Sequence, residues 1–411
     1  MLCSGSELCV DDDVIDGAGG DDMLTVDLNG NWSGFSSKGG MTNVGTVNLE
    51  NDASRAYSFN AKGIDGATTW NLDGNINLSE LSRTGVDVNL SNVHIANGVN
   101  IGFASGVTSG PADALTIGLE NVYIPATGND QSAKPVSIKA QGIEDVTINS
   151  TGTLADNRVD ISNIDYMETL AVKGDGNVHV TTSGKFFDAL NASDATGNVL
   201  VTATGSALDN IQLGSGNDRI FNNVAQDAVI DGGDGEDAVY LTGANGPYAL
   251  STTNLETVGI NGNSGKVTLI GAEMDGVENL TLSGTANFNN GGVVLGEFAN
   301  SALNVRAEHS NSADLTIADI SDISLTVGDG KRGTSDDFTG NLKLDASSLS
   351  ITTEDVSQPN QVKFDSAVDA DNVTDLSLNA GRNSSPTVKG GDLSQVSSLT
   401  AAGYGHIDLK A

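Results

Sequence analysis

A nine-residue repeat between Thr204 and Tyr240 constrains the fold of this chain more than any other feature. Its four copies are Thr-Gly-Ser-Ala-Leu-Asp-Asn-Ile-Gln (204–212), Leu-Gly-Ser-Gly-Asn-Asp-Arg-Ile-Phe (213–221), Asn-Asn-Val-Ala-Gln-Asp-Ala-Val-Ile (222–230) and, after Asp231, Gly-Gly-Asp-Gly-Glu-Asp-Ala-Val-Tyr (232–240). Position six is always aspartate, and position eight is always Ile or Val. This spacing predicts a six-residue turn followed by a short strand with a buried residue at position eight.

The residue types in these turns indicate calcium. Glycine at positions one, two and four allows positive φ, which turns backbone carbonyls inward beside the aspartates. Calcium takes six to eight oxygen ligands of this kind. The alternative is a set of ordinary Asp-Gly turns, which would not keep the same phase through every copy. The candidate metal residues of this block are Asp209, Gly214, Gly216, Asp218, Asp227, Gly233, Gly235 and Asp237.

Two nonapeptides make one coil, so turns on the same side of the coil lie about 18 residues apart. This register pairs Asp209 with Asp227 and Asp218 with Asp237. The second pair is the better candidate, because glycines surround it, whereas other residues replace most of the glycines in the first. The glycines are Gly214, Gly216, Gly232, Gly233 and Gly235, and the replacements are Asn222, Asn223 and Ala225.

A second copy of the repeat lies near the start of the chain. Residues 7–15 place Asp12 at position six and Val14 at position eight, and residues 16–24 place Asp21 at position six. Gly17 and Gly19 belong to the second turn, so Asp12, Gly17, Gly19 and Asp21 join the candidate metal residues. The coil partner of this copy would precede residue 1, so we expect the chain to be a fragment.

A longer repeat also occurs. Each copy consists of an aliphatic residue, Glu, a spacer residue and then two apolar positions that alternate with another residue. The alternation predicts half-buried strands, and the length suits one rung of a parallel solenoid. We therefore expect an all-β, right-handed parallel β-solenoid with calcium-binding turns. We divide it into a calcium-binding coil (1–30), solenoid (31–203), a calcium-binding β-roll (204–243) and solenoid (244–411). The rungs are 119–124, 143–148, 167–172, 255–260 and 277–282, with weaker ones at 324–327, 349–351, 376–378 and 398–399.

The charge of the chain excludes several classes of function. Lys and Arg number 19 against 54 Asp and Glu, which gives a net charge of −35 and excludes phosphate-backbone binding as a main role. No apolar run is long enough to span a membrane. The four histidines are scattered along the chain, and the alternation around His179 predicts an ordinary strand position in one rung. No triad, zinc or nucleotide motif occurs, so we expect no enzymatic activity.

With the nonapeptide block, the 255–258 rung and segments such as 191–197 and 345–349, the chain resembles the calcium-dependent surface-layer proteins of Caulobacter type. The resemblance implies export by type I secretion without a cleaved leader. It also implies a calcium-dependent lattice of identical copies on the bacterial cell surface. Attachment to lipopolysaccharide or a cell-surface glycan would use a part outside this chain.

Two other functions remain open on the sequence. A type I-secreted, calcium-stabilised adhesin would share the nonapeptides and add a ligand module. A β-helical polysaccharide lyase or epimerase would need Arg, Lys, His and Asp clustered in one groove, because it must neutralise a carboxylate and abstract a proton.

Overall fold

The structure, a computed structural model, is all-β, and its strands pair in parallel. No helix in the part of the chain that it describes is long and apolar enough to cross a membrane. That part comprises residues 2–3, 11–126, 132–152, 155–184, 187–205, 207–222, 224–242, 246–261, 267–270, 274, 276–283, 292–296, 302–308 and 314–410.

The chain divides into two compact units, Met1–Ile220 and Phe221–Ala411. The strands of the first unit are β1 (Leu2–Cys3), β2 (Val14–Asp16), β3 (Met23–Asp27), β4 (Gly40–Thr42), β5 (Thr46–Asn51), β6 (Tyr57–Asn60), β7 (Thr69–Gly74), β8 (Ile76–Leu81), β9 (Val86–Ser91), β10 (Val99–Phe103), β11 (Ala114–Glu120), β12 (Val136–Ala140), β13 (Asp145–Thr151), β14 (Asn157–Ile164), β15 (Thr169–Gly174), β16 (Val178–Thr182), β17 (Ala189–Ala195), β18 (Val199–Ala203) and β19 (Leu208–Gln212). At the division lies β20 (Arg219–Asn222).

Two long parallel sheets and a two-stranded sheet of β2 and β4 build the first unit. The odd sheet pairs β1, β3 and each following odd strand to β19, and the even sheet pairs β6, β8 and each following even strand to β18. The chain therefore visits one sheet, crosses to the other and returns one strand further along. Neighbouring strands of such a sheet lie about 4.8 Å apart. This is the β-solenoid that the rung repeat predicts.

Apolar side chains in register fill the interior of the first unit. Leu24, Val47, Trp70, Val88 and Ile117 occupy one column of the odd sheet. All are at most 4% exposed. Alternate residues of the same strands face outward, because successive side chains of a strand point to opposite faces. The half-buried alternation is thereby confirmed for this sheet.

The second unit is also built from stacked parallel strands. Its strands are β21 (Val224–Asp231), β22 (Ala238–Thr242), β23 (Gly246–Tyr248), β24 (Ser251–Thr253), β25 (Thr257–Asn261), β26 (Val267–Ile270), β27 (Asn279–Ser283), β28 (Gly292–Gly296), β29 (Ala302–Ala307), β30 (Asp314–Ile317), β31 (Asp322–Val327), β32 (Asp336–Phe338), β33 (Leu342–Asp345), β34 (Ser348–Thr353), β35 (Val362–Ser366), β36 (Val368–Asp371), β37 (Asp375–Ala380), β38 (Ser384–Val388), β39 (Ser398–Gly403) and β40 (Asp408–Leu409).

Three parallel stacks organise most of the second unit: β22-β25-β27-β29-β31-β34-β37-β39, β23-β26-β28-β30-β33-β36 and β32-β35-β38-β40. β21 and β24 also pair in parallel. The first stack carries the predicted rungs of this half. Their apolar positions form a buried column of Val258, Leu280, Val305, Leu325, Ile351 and Leu378. The rungs predicted from residue 255 onward are confirmed as strands, but the one at 398–399 is not half-buried, since every residue of β39 is exposed.

One predicted rung, at residues 119–124, is wrong. The strand of this coil is β11, which ends at Glu120, and the chain turns immediately afterwards. Asn121 causes the difference, because its φ of +59° is left-handed and cannot continue a strand. The other two predicted rungs of this unit, at 143–148 and 167–172, coincide with β13 and β15.

Asparagines with positive φ close many of the corners. Five of them donate the side-chain amide to an Asx side chain one coil earlier, which satisfies an acceptor near the end of the preceding strand, whereas Asn383 donates to the Val356 carbonyl. Asparagine is among the few residues that tolerate this backbone conformation. The pairs are Asn43 with Asp16 (2.7 Å), Asn92 with Asp73 (2.8 Å), Asn121 with Asn92 (2.7 Å), Asn254 with Asp231 (3.1 Å) and Asn372 with Asp345 (2.8 Å). Asp231, inserted between two nonapeptides, is thus a corner acceptor.

Candidate metal site

Burial separates the four position-six aspartates into two classes. Asp218 is 0% exposed and Asp237 is 1% exposed, whereas Asp209 and Asp227 are exposed. In the third repeat, Val229 is also 54% exposed, and Ala228 and Ile230 face the interior instead. The prediction that position eight is always buried is therefore wrong at Val229, where the strand lies one residue out of the repeat frame.

Asp218, in the first unit, closes the turn that precedes β20. Its Oδ2 accepts a hydrogen bond from the Gly214 amide at 3.1 Å, and its Oδ1 accepts one from the Val199 amide at 2.8 Å. Burial raises the pKa of the Asp218 carboxyl, and the two amide donors oppose that rise. The carboxylate thus links its own turn to the coil below.

Asp237, in the second unit, follows the most glycine-rich turn. Gly233 has φ +81° and Gly235 has φ +136°, as the sequence predicts for a turn that directs carbonyls inward. The Asp237 amide donates to Oε2 of Glu256 in the next coil at 2.8 Å. The Glu256 carboxylate therefore lies against the backbone of the buried Asp237, and it adds negative charge beside this turn.

Gly214 and Gly216 serve a different purpose from the predicted one, since neither has a positive φ. A Cβ on Gly214 would lie 2.1 Å from the Ala195 carbonyl oxygen, and one on Gly216 would lie 2.7 Å from that of Gly197. Gly17 resembles them, because a Cβ added to it would lie 2.2 Å from the Asn43 carbonyl oxygen. These glycines let neighbouring coils approach closely, so their prediction as φ-permissive residues is corrected. Gly19 has open space and no positive φ.

The repeat frame near the start of the chain is shifted by one residue. Val14 is 77% exposed and Met23 is 54% exposed, although the frame places both at position eight, and Leu24 is buried instead. Asp22 rather than Asp21 therefore takes the place directly before the strand. Residues 7–10 of this copy lie outside the described part of the chain.

The aspartates of this copy have different surroundings. Asp12 is exposed and accepts a hydrogen bond from the Ser36 hydroxyl, and Asp21 is also exposed. The Oδ2 atom of Asp22 is buried and has no hydrogen-bond partner in the described structure. A shift of one residue thus exchanges an exposed candidate for a partly buried one.

Two further aspartates are buried: Asp113 (8% exposed), which sequence reasoning missed, and Asp336 (1%), which the adjacent acids Asp336-Asp337 in a loop predict to be solvated. The Asp113 carboxylate accepts a hydrogen bond from the Gly110 amide at 3.0 Å, as the Asp218 carboxylate does from the Gly214 amide. The backbone amide of Asp113 donates to Glu144, as the backbone amide of Asp237 donates to Glu256. Asp336 accepts from the Asp329 amide at 3.0 Å. The missed signal is an aspartate that ends a glycine-containing turn just before an alternating strand.

Three of the buried aspartates, Asp113, Asp218 and Asp237, lie directly before a strand, and Asp336 begins one, so two of the four lie outside the nonapeptides. Burial at this position is a property of the turn and does not by itself indicate a metal. No three His, Cys, Asp or Glu side chains within the described ranges converge closely enough to hold a metal ion. Backbone carbonyls would have to supply part of any calcium shell, as they do in flexible oxygen-rich sites.

Of the two buried position-six residues, Asp237 fits calcium better. Its turn has the positive-φ glycines, and Glu256 adds a carboxylate. At Asp218 both carboxylate oxygens already accept backbone amides, which uses part of their acceptor capacity. Residues 232–237 with Glu256 are therefore the candidate calcium site.

Searches against protein-family models, curated proteins and solved structures found no match to this chain. The functional argument therefore depends on the geometry and charge of the described residues.

His179 occupies a strand position in the first unit, on β16. The guanidinium of Arg158 donates to its Nδ1 at 3.1 Å, and the Thr202 hydroxyl lies 3.4 Å from its Nε2. Burial lowers the pKa of His179, and the positive charge of Arg158 lowers it further. The folded protein therefore favours neutral imidazole.

The pH dependence of stability should reflect this histidine. Because the folded pKa lies below the ordinary value of 6.5, the unfolded state binds protons first, and stability is lost as pH falls below 6.5. We expect His179→Gln to make the thermal midpoint less sensitive to pH between about 7.5 and 5. The exposed His406→Gln is the control. An equal pH slope in wild type and His179→Gln would contradict the assignment.

Proposed function

We propose that this chain is a structural protein of a bacterial surface layer or a related surface assembly, in which calcium stabilises the solenoid and joins copies. The observation that carries the proposal is the turn at residues 232–237. It combines a buried Asp237, a neighbouring Glu256 and two positive-φ glycines. These are the ligand types and backbone conformations that a hard cation with many oxygen ligands requires.

The net charge gives calcium a second role. A charge of −35 opposes compaction of each copy and contact between copies. A divalent cation held by carboxylates lowers both kinds of repulsion. Extracellular calcium modules bind with Kd of about 10⁻⁴–10⁻³ M, so they fill outside the cell. A cell-surface location, reached by type I secretion, would place the protein where sites of this affinity fill with calcium.

The same ion can join neighbouring copies. The exposed carboxylates of so acidic a chain repel those of the next copy, and calcium held between them removes that repulsion. We propose that such contacts build the lattice, and that anchoring to lipopolysaccharide or glycan uses another part of the protein.

Self-association should depend steeply on calcium. We expect light scattering to rise as calcium increases from chelated to millimolar levels, and negative-stain images to show sheets or ordered patches that dissolve on chelation. Sodium chloride at equal ionic strength and magnesium are the controls. A protein that stays monomeric at every calcium level would contradict the assembly proposal, and monomeric protein that binds a host surface would favour the adhesin.

A further inference from the structure

An asparagine ladder runs along the outward face of the odd sheet. The Asn71 amide donates to Oδ1 of Asn48 at 2.7 Å, and the Asn89 amide donates to Oδ1 of Asn71 at 2.8 Å. These residues lie in register on β5, β7 and β9. Oδ1 of Asn89 ends the ladder and accepts no hydrogen bond from the described residues.

Gly118 interrupts this column. It lies on β11 in register with Asn89 on one side and Asn149 on β13 on the other. Its φ is not positive, so its backbone does not need glycine. An added Cβ would meet Oδ1 of Asn89 at 2.2 Å, which is the movable end of a side chain. A glycine within a strand often marks a bulge, a bend, or the close approach of a ligand or of another backbone.

The Asn89 side chain leans over Gly118, and beside it lies a groove of about 400 Å³ lined by Gly118, Asn71, Asn89 and Asn149 among others. A second depression of about 470 Å³ adjoins it. The two share Ser91 and Glu120, and Asp73 lies in the second. Both volumes fall within the range of small-molecule sites, about 300–1,000 Å³.

We propose that this groove binds a glycan built from neutral or amino sugars. Asparagine amides present both donors and acceptors, which matches the hydroxyl groups of a sugar. Glu120 and Asp73 make an anionic glycan unfavourable and an amino sugar favourable. The amides of the column repeat at the strand spacing of about 4.8 Å, so a chain of sugar rings can meet successive rungs. The proposal does not depend on calcium or on self-assembly.

Gly118→Asn is the decisive variant, because it extends the asparagine ladder across the gap and fills the groove. Ala171→Asn is the matched control, since it adds the same side chain to the same face of the odd sheet, on β15. The full chain is titrated calorimetrically with linear tetrasaccharides of glucose, N-acetylglucosamine and glucosamine. We expect saturable binding of at least one probe, at least tenfold weaker binding to Gly118→Asn, and unchanged binding to Ala171→Asn.

Circular dichroism checks that both variants fold. Should Gly118→Asn fail to fold, Glu120→Gln replaces it and is expected to weaken binding of the probe at least threefold. No binding of any probe up to about 10 mM, ten times the Kd of a weak complex, would overturn the proposal. Equal loss in Gly118→Asn and Ala171→Asn would overturn it as well.

Discussion

Replacing Asp237 with alanine is expected to remove most of the stabilisation that calcium gives to this protein. Wild type at 100 times its Kd gains about 2.7 kcal/mol from one bound ion. The variant loses the buried carboxylate, so that the turn keeps only the exposed Asp234 and Glu236, with Glu256 beside it. The quantity to measure is the difference in thermal midpoint between millimolar calcium and chelator, by circular dichroism of the full chain.

Two matched variants separate a ligand effect from a general effect of charge. Asp175→Ala and Asp227→Ala each remove an exposed carboxylate, and Asp227 occupies position six of its own repeat. Both should keep nearly the whole calcium response. A response that falls equally in all three variants would show that calcium acts through total charge, and the turn at 232–237 would not be a binding site.

Trp70→Ala is expected to cause the largest loss of stability, about 3–5 kcal/mol, in the first unit. The indole is 1% exposed, lies in register between Val47 and Val88, and contacts Phe59 with ring centroids 6.1 Å apart. Unfolding in urea can be followed by the fluorescence of Trp32, the other of the two tryptophans in the chain.

Two controls identify the cause of that loss. The Nε1 of Trp70 is buried with no hydrogen-bond partner in the described structure, so Trp70→Phe removes an unsatisfied donor and should cost much less. Val14→Ala, at a side chain that is 77% exposed, should cost less than about 0.5 kcal/mol. Losses of similar size in Trp70→Ala and Val14→Ala would contradict the packing described for this column.

The solenoid could be predicted because each coil repeats the same local rule. Alternating apolar residues such as Val146 and Ile148 fix both the strand and its buried face. The rule fails where one residue changes the backbone. Asn121, with a positive φ, ends the strand before the predicted rung, and Asp231 adds a residue that the corner uses as an acceptor.

The candidate sites were less predictable because they depend on contacts between coils. Sequence spacing identifies the aspartates, but burial of Asp218 and exposure of Asp227 follow from the register of each strand on the core. Gly214 could be taken for a φ-permissive glycine until its distance to the Ala195 carbonyl oxygen was known. The gap at Gly118 is recognisable only when Asn89 and Asn149 are placed on either side of it.

The most direct test of a calcium-stabilised surface protein is the thermal unfolding of the wild-type chain in chelator, in millimolar calcium and in millimolar magnesium. Magnesium demands a smaller octahedral shell and keeps its waters, so it should not replace calcium in a carbonyl-rich turn. We expect a higher midpoint and greater β content in calcium than in either other condition. The same midpoint and β content in chelator and in calcium would contradict the account.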